Sequence, residues 1–97
     1  MAVFDKALHT YNPLEGADPR PGDYYVTAWY GNSYTYLVGP FRNDHQAALG
    51  MVEAARRLAY TLDAKAPWYA YGTCRREIDD THPRPGGKLN AELGLEV

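Results

Sequence analysis

The chain has 97 residues, ten Lys and Arg against twelve Asp and Glu, and a formal net charge of −2. That length permits one domain with one modest core, and the charge argues against a general binder of nucleic acid or acidic membrane, which would be basic. A single cysteine, Cys74, excludes an intramolecular disulfide framework and suits a reducing compartment.

Residues 1–22 read as an N-terminal arm. The start MAVFDKAL is too short and too polar for a signal peptide, and no apolar run approaches bilayer length. A soluble, cytoplasmic protein with no membrane partner is expected. Val3 to His9 fits one helical turn or a short strand, and the breakers from Asn12-Pro13 to Pro21-Gly22 keep the rest extended. The arm is either a disordered leader or a cover for aromatic surface, since Phe4, Leu8 and Tyr11 call for burial.

The domain proper is expected over residues 23–76. Tyr24 to Tyr30 and Ser33 to Val38 flank Gly31-Asn32, which suits a two-residue hairpin with a type II′ turn. The turn sets a register of Tyr30 with Ser33, Trp29 with Tyr34, Thr27 with Tyr36, Val26 with Leu37 and Tyr25 with Val38. Alternation then puts Val26, Ala28, Thr35 and Leu37 on one face, and Tyr25, Thr27, Trp29, Tyr34, Tyr36 and Val38 on the other.

Gly39-Pro40 is expected to stop the second strand, with Phe41 tucked under the next element. Asn43 or Asp44 can cap a helix running from His45 to about Ala64. Its stripe is Ala48, Val52, Ala55, Ala59 and Leu62, flanked by Met51 and Leu58. Pro67 ends it. Trp68 to Arg76 reads as a third strand, with Trp68, Ala70, Gly72 and Cys74 on a small face matched to the helix. Tyr69, Tyr71, Thr73 and Arg75 fall on the aromatic face. The expected fold is α+β, ββαβ. It has a three-stranded antiparallel sheet of order 2-1-3, counting from the hairpin, and one helix on the small-residue face. Residues 77–97 form a C-terminal tail in which Lys88 to Leu93 suits a short amphipathic turn or helix through Leu89, Leu93 and Leu95. The alternative is a mobile tail.

Chemistry is thinly represented. His9, His45 and His82 lie in separate segments with no paired ligand, so no metal or cofactor is expected. Cys74 is expected under the helix, where a thiol behaves as a small hydrophobe rather than a nucleophile. Asp79-Asp80 reads as a solvated turn, and Pro85-Gly86-Gly87-Lys88 lacks the flanking strand and helix of a phosphate loop. No catalytic residues and no enzyme are expected. The informative feature is the aromatic face, taken as Tyr25, Trp29, Tyr34, Tyr36, Tyr69 and Tyr71 with Arg75 beside them. Rings of this kind favour protein interfaces. Four readings compete: self-association as a homodimer or docking of a partner protein, covering by the chain's own arms, stacking of single-stranded nucleic acid, and stacking of carbohydrate.

The stretch YLVGPFRNDHQAALGMVEAARRLA is similar to the first strand and helix of SPOR domains, a resemblance that implies binding of peptidoglycan glycans. It covers about a quarter of the chain, lacks that family's duplicated strand–helix plan, and is read as convergence on a useful turn. The span from Tyr24 to Arg75, with YYV, GPF, an Ala/Arg-rich helix and WYAYGT, resembles small hypothetical proteins of bacteriophages and prophages of proteobacteria. That resemblance carries no established activity and implies an accessory protein acting inside a bacterial host, of a class that often binds and blocks a host complex, including CRISPR or restriction machinery.

Overall fold

Gly31 adopts φ +60° while Asn32 stays outside the positive region, as a type II′ turn requires, so the hairpin closes where the sequence places it. The structure, a computed structural model, describes residues 16–95 in full and Phe4–Thr10 as backbone. In chain order the elements are β1 (Phe4–Thr10), β2 (Asp23–Tyr30), β3 (Ser33–Arg42), α1 (His45–Leu62), a 3₁₀ turn (Ala66–Trp68) and β4 (Ala70–Arg76). The three expected strands pair antiparallel with β2 central, and α1 packs against all three, giving the expected α+β fold. β1 adds a fourth strand on the outer edge of β4, again antiparallel, so part of the N-terminal arm joins the sheet. The expected burial of Phe4, Leu8 and Tyr11, and any role of His9, lie outside the described residues. Among the described residues no helix is long and apolar enough to cross a membrane.

Three expectations need correction. First, Gly39-Pro40 does not stop the strand. β3 continues to Arg42 through two irregularities, because Thr27 faces Tyr36, Val26 faces Val38 and Tyr24 faces Phe41. Each shift inserts one residue into β3 and inverts the phase of the residues beyond it. The expected pairs Val26–Leu37 and Tyr25–Val38 are therefore absent, and Val38 leaves the aromatic face to join Val26, Ala28 and Leu37 in the core.

Second, β4 presents the opposite faces from those expected. Tyr25 faces Cys74, Thr27 faces Gly72 and Trp29 faces Ala70, while Val26 faces Thr73 and Ala28 faces Tyr71. Residues directly opposite in a ladder share a face. Tyr69, Tyr71 and Arg75 therefore lie on the helix side, and Cys74, although buried, lies on the other. Tyrosine tolerates the helix side because its polar tip finds acceptors there. Tyr71 Oη donates to the Ala66 carbonyl at 2.9 Å, and Tyr69 Oη to Asp63. The small Ala70 and Gly72 instead leave room beside Thr27 and Trp29.

Third, α1 ends at Leu62, before the proline. Asp63 takes extended geometry as C-cap, and Pro67 sits inside the 3₁₀ turn that carries Trp68, so Trp68 is not a strand residue. Asp44 is the N-cap, accepting from the Ala47 amide at 3.0 Å. The buried stripe is His45, Ala48, Val52, Ala55 and Ala59; Leu62 is exposed. His45 stacks on Tyr24 and bonds Thr73, at the opposite end of the helix from Leu62.

The C-terminal tail is clasped to β3. Gly87 N–H donates to Gly39, Lys88 to Tyr36 and Leu89 to Leu37, while Leu93 and Leu95 pack on the core through a run of turns. Asn90 completes the clasp: its side chain accepts from Gly39 N–H at 3.0 Å and donates to the Gly39 carbonyl. At the far end of β2, fully buried Asp23 takes a two-pronged contact from Arg84, with Arg42 at 3.5 Å. Replacing Asn90 by alanine strands the buried Gly39 N–H, while the Gly39 carbonyl keeps the Gly87 amide, so a loss of about 1–3 kcal/mol is expected. Urea melts check this, with the first loss of amide protection expected at Gly87–Leu89.

Candidate functional site

The seven residues expected to share one aromatic surface form two groups. Tyr25, Trp29, Tyr34 and Tyr36 occupy the sheet face away from α1; Tyr69, Tyr71 and Arg75 occupy the helix side. Arg75 faces the N-terminal arm, donating to the Pro21 carbonyl at 2.9 Å. Within the first group, Tyr25 is fully buried, stacked on Tyr36 at 4.1 Å, and donates its hydroxyl to the Pro85 carbonyl at 2.7 Å. Its ring therefore offers no surface for a partner, a base or a sugar. Trp29 and Tyr36 are half-buried, and Tyr34 is exposed.

Exposed apolar bulk is found elsewhere. Among the described residues the large exposed hydrophobics are Trp68 at 71 %, Leu62 at 59 %, Tyr30 at 52 %, Tyr60 at 46 % and Tyr34 at 40 %. Tyr30 and Tyr34 flank the hairpin turn; Tyr60 and Leu62 are in the last turn of α1; Trp68 lies two residues before β4, whose start lies beside Trp29. All five belong to the hairpin-tip end of the domain.

Asp63 organises this end. As C-cap of α1 it donates its amide to Ala59, its carbonyl accepts from Ala66 N–H at 3.0 Å, and one carboxylate oxygen accepts from Lys65 N–H at 2.9 Å. The other oxygen takes the Tyr69 phenol. These bonds, the phenol first, hold the Asp63 carboxyl below the usual carboxylate range, and the same contact raises the Tyr69 phenol. Further amide bonds, Trp68 to Lys65 and Tyr69 to Ala66, fix the 3₁₀ turn. Trp68 is thus presented by a short, hydrogen-bonded connection.

Beside it lies a groove of about 440 Å³. Ala28, Leu37, Ala59 and Leu89 supply apolar lining, and Tyr30 meets Tyr69 edge-on at 5.8 Å as one wall. Ser33, Thr35, Lys65 and Lys88 add polar groups. An apolar floor with a few polar groups at its rim is the make-up of a binding cleft. Sequence reasoning missed this end because it assigned Leu62 to the buried stripe and Trp68 to a strand. The signal that could have found it was Pro67, which is at home in the first turn of a short helix and marks the connection before β4.

Comparison of the chain with protein-family models, with curated proteins and with solved structures gives no match.

Proposed function

We propose that this domain is a non-enzymatic protein–protein interaction module whose binding surface is its hairpin-tip end. The observation that carries the reading is the gathering of Trp68, Leu62, Tyr30, Tyr60 and Tyr34 at one end. Several large apolar side chains left in water at one end of a small domain are costly to leave uncovered, and Trp and Tyr are the residues that anchor protein interfaces. The resemblance of Tyr24–Arg75 to phage and prophage proteins favours a bacterial cytoplasm as the setting. The partner is then a second copy of the chain or a host protein, with defence complexes among the candidates.

The test is a Trp68→Ser, Leu62→Ser double variant. Both side chains are exposed, so the change in stability is expected to stay within about 1 kcal/mol, while association falls at least thirtyfold, as loss of anchor residues does (about 2 kcal/mol or more). Sedimentation across a concentration series reads self-association, and capture from bacterial lysate followed by titration of the recovered protein reads a host partner. Undiminished association by the double variant would move the surface elsewhere.

A further inference from the structure

Resting on the tip-end reading, we infer that the groove beside Trp68 receives an acidic, apolar linear segment of the partner protein. The chain's cations differ in what they face. Arg20, Arg42, Arg56, Arg57 and Arg84 each lie within ion-pair distance of a carboxylate of this chain. Lys65 and Lys88, which line the groove, have no such partner among the described residues, and both are exposed; Arg76 also has none, but it is half-buried at the end of β4 and does not line the groove. The carboxylate on the groove wall, Asp63, accepts from the Tyr69 phenol and the Lys65 amide and feels the charge of both lysines, but neither ammonium closes to ion-pair distance with it. The groove therefore offers two ammonium groups without an ion-pair partner over an apolar floor, in a chain that is otherwise acidic overall.

Size narrows the occupant. A groove of about 440 Å³ is near the lower end of the range for ligand clefts, about 300–1,000 Å³. It accommodates side chains, not a folded element. The exposed rings outside it, Trp68 and Tyr60, are surplus to a small ligand and suit a longer segment passing over the end. Apolar side chains of that segment fill the floor at Leu37 and Leu89, and neighbouring Asp or Glu carboxylates meet Lys65 and Lys88. Such rim charges chiefly set specificity and association rate.

The experiment uses the full chain and three fluorescein-labelled peptides of equal length. Each alternates leucine and phenylalanine with glutamate, lysine or glutamine. Anisotropy is expected to show binding of the glutamate peptide, at least fivefold weaker for the glutamine peptide and absent for the lysine peptide. The charge reversal Lys65→Glu, Lys88→Glu should weaken the glutamate peptide about tenfold and improve the lysine peptide. Both lysines are exposed, and a thermal melt verifies that the variant folds. Equal binding of all three peptides, lost in the Trp68→Ser, Leu62→Ser variant, would overturn the acidic segment while leaving the tip-end interface standing. Binding of none, alongside tip-dependent capture of a lysate protein, would do the same. Self-association lost on charge reversal would make a second copy the occupant and also overturn the inference.

Discussion

Replacing Gly39 by alanine is expected to destabilise the domain by about 3–5 kcal/mol, from two sources. Gly39 sits at φ +126°, a conformation that side-chain-bearing residues hold at a cost of about 1–3 kcal/mol. A Cβ there would also lie 2.7 Å from the Tyr24 carbonyl oxygen and 2.8 Å from Tyr25 Cδ2. The first contact is backbone in the central strand and cannot swing away, and forced overpacking costs roughly 1–3 kcal/mol more. Against a total stability of about 5–15 kcal/mol for a domain of this kind, that is a large fraction. The melting temperature should fall by roughly 15–30 °C. Gly50 provides the control. It lies in α1, and a methyl group added there would meet nothing within 4 Å, so Gly50→Ala should be stabilising by about 0.5–1 kcal/mol through helix propensity. A Gly39→Ala protein within about 1 kcal/mol of the parent in urea melts would rule out this account of the bulge.

Gly39 also shows where the sequence stops being informative. The hairpin register was legible from Gly31-Asn32 back to Thr27–Tyr36, because a two-residue turn leaves no freedom over the first few pairs. Beyond Tyr36 the inserted residues reset the phase, and no pattern of apolar and polar residues announces a bulge when Leu37 and Val38 are both apolar. The helix was legible for a related reason: Ala48, Val52, Ala55 and Ala59 carry the period over three turns, and a shift of one residue would have broken it.

β4 failed differently. Alternation within WYAYGTCRR fixes which residues share a face, but which face meets the helix depends on pairing with β2. Small residues were matched to the alanine stripe on resemblance of pattern. In the fold, Tyr69 and Tyr71 reach past that stripe to Asp63 and Ala66, and Gly72 and Cys74 go to the opposite side. Tyrosine, apolar along its ring and polar at its tip, satisfies either side, so composition alone leaves the orientation open. The same ambiguity divided the candidate surface in two and shifted the exposed apolar bulk to the tip.

The second large effect concerns Tyr25, the residue that decides whether the sheet face is core or surface. Truncation to alanine removes a fully buried ring stacked on Tyr36 and should cost about 3–5 kcal/mol. Tyr25→Phe keeps the ring and loses only the bond to the Pro85 carbonyl, for about 1 kcal/mol. The phenols also predict an alkaline response. Burial first, then the nearby Asp23 carboxylate, raises Tyr25 from 10.0 to about 12; burial raises Tyr71 to about 12 and Tyr36 higher still. Above about pH 10 the unfolded chain releases these protons while the folded chain retains them. The folded state then binds more protons, so their contribution to stability is complete below about pH 10 and falls as pH rises through about 12. Urea midpoints measured from about pH 9 to 12 should decline, and Tyr25→Phe should reduce the slope by about one proton. Tyrosinate absorbance should appear together with loss of structure. Titration of Tyr25 near its ordinary value of about 10 in a protein that stays folded would show an accessible ring and return the binding surface to the sheet face, at the expense of the hairpin tip.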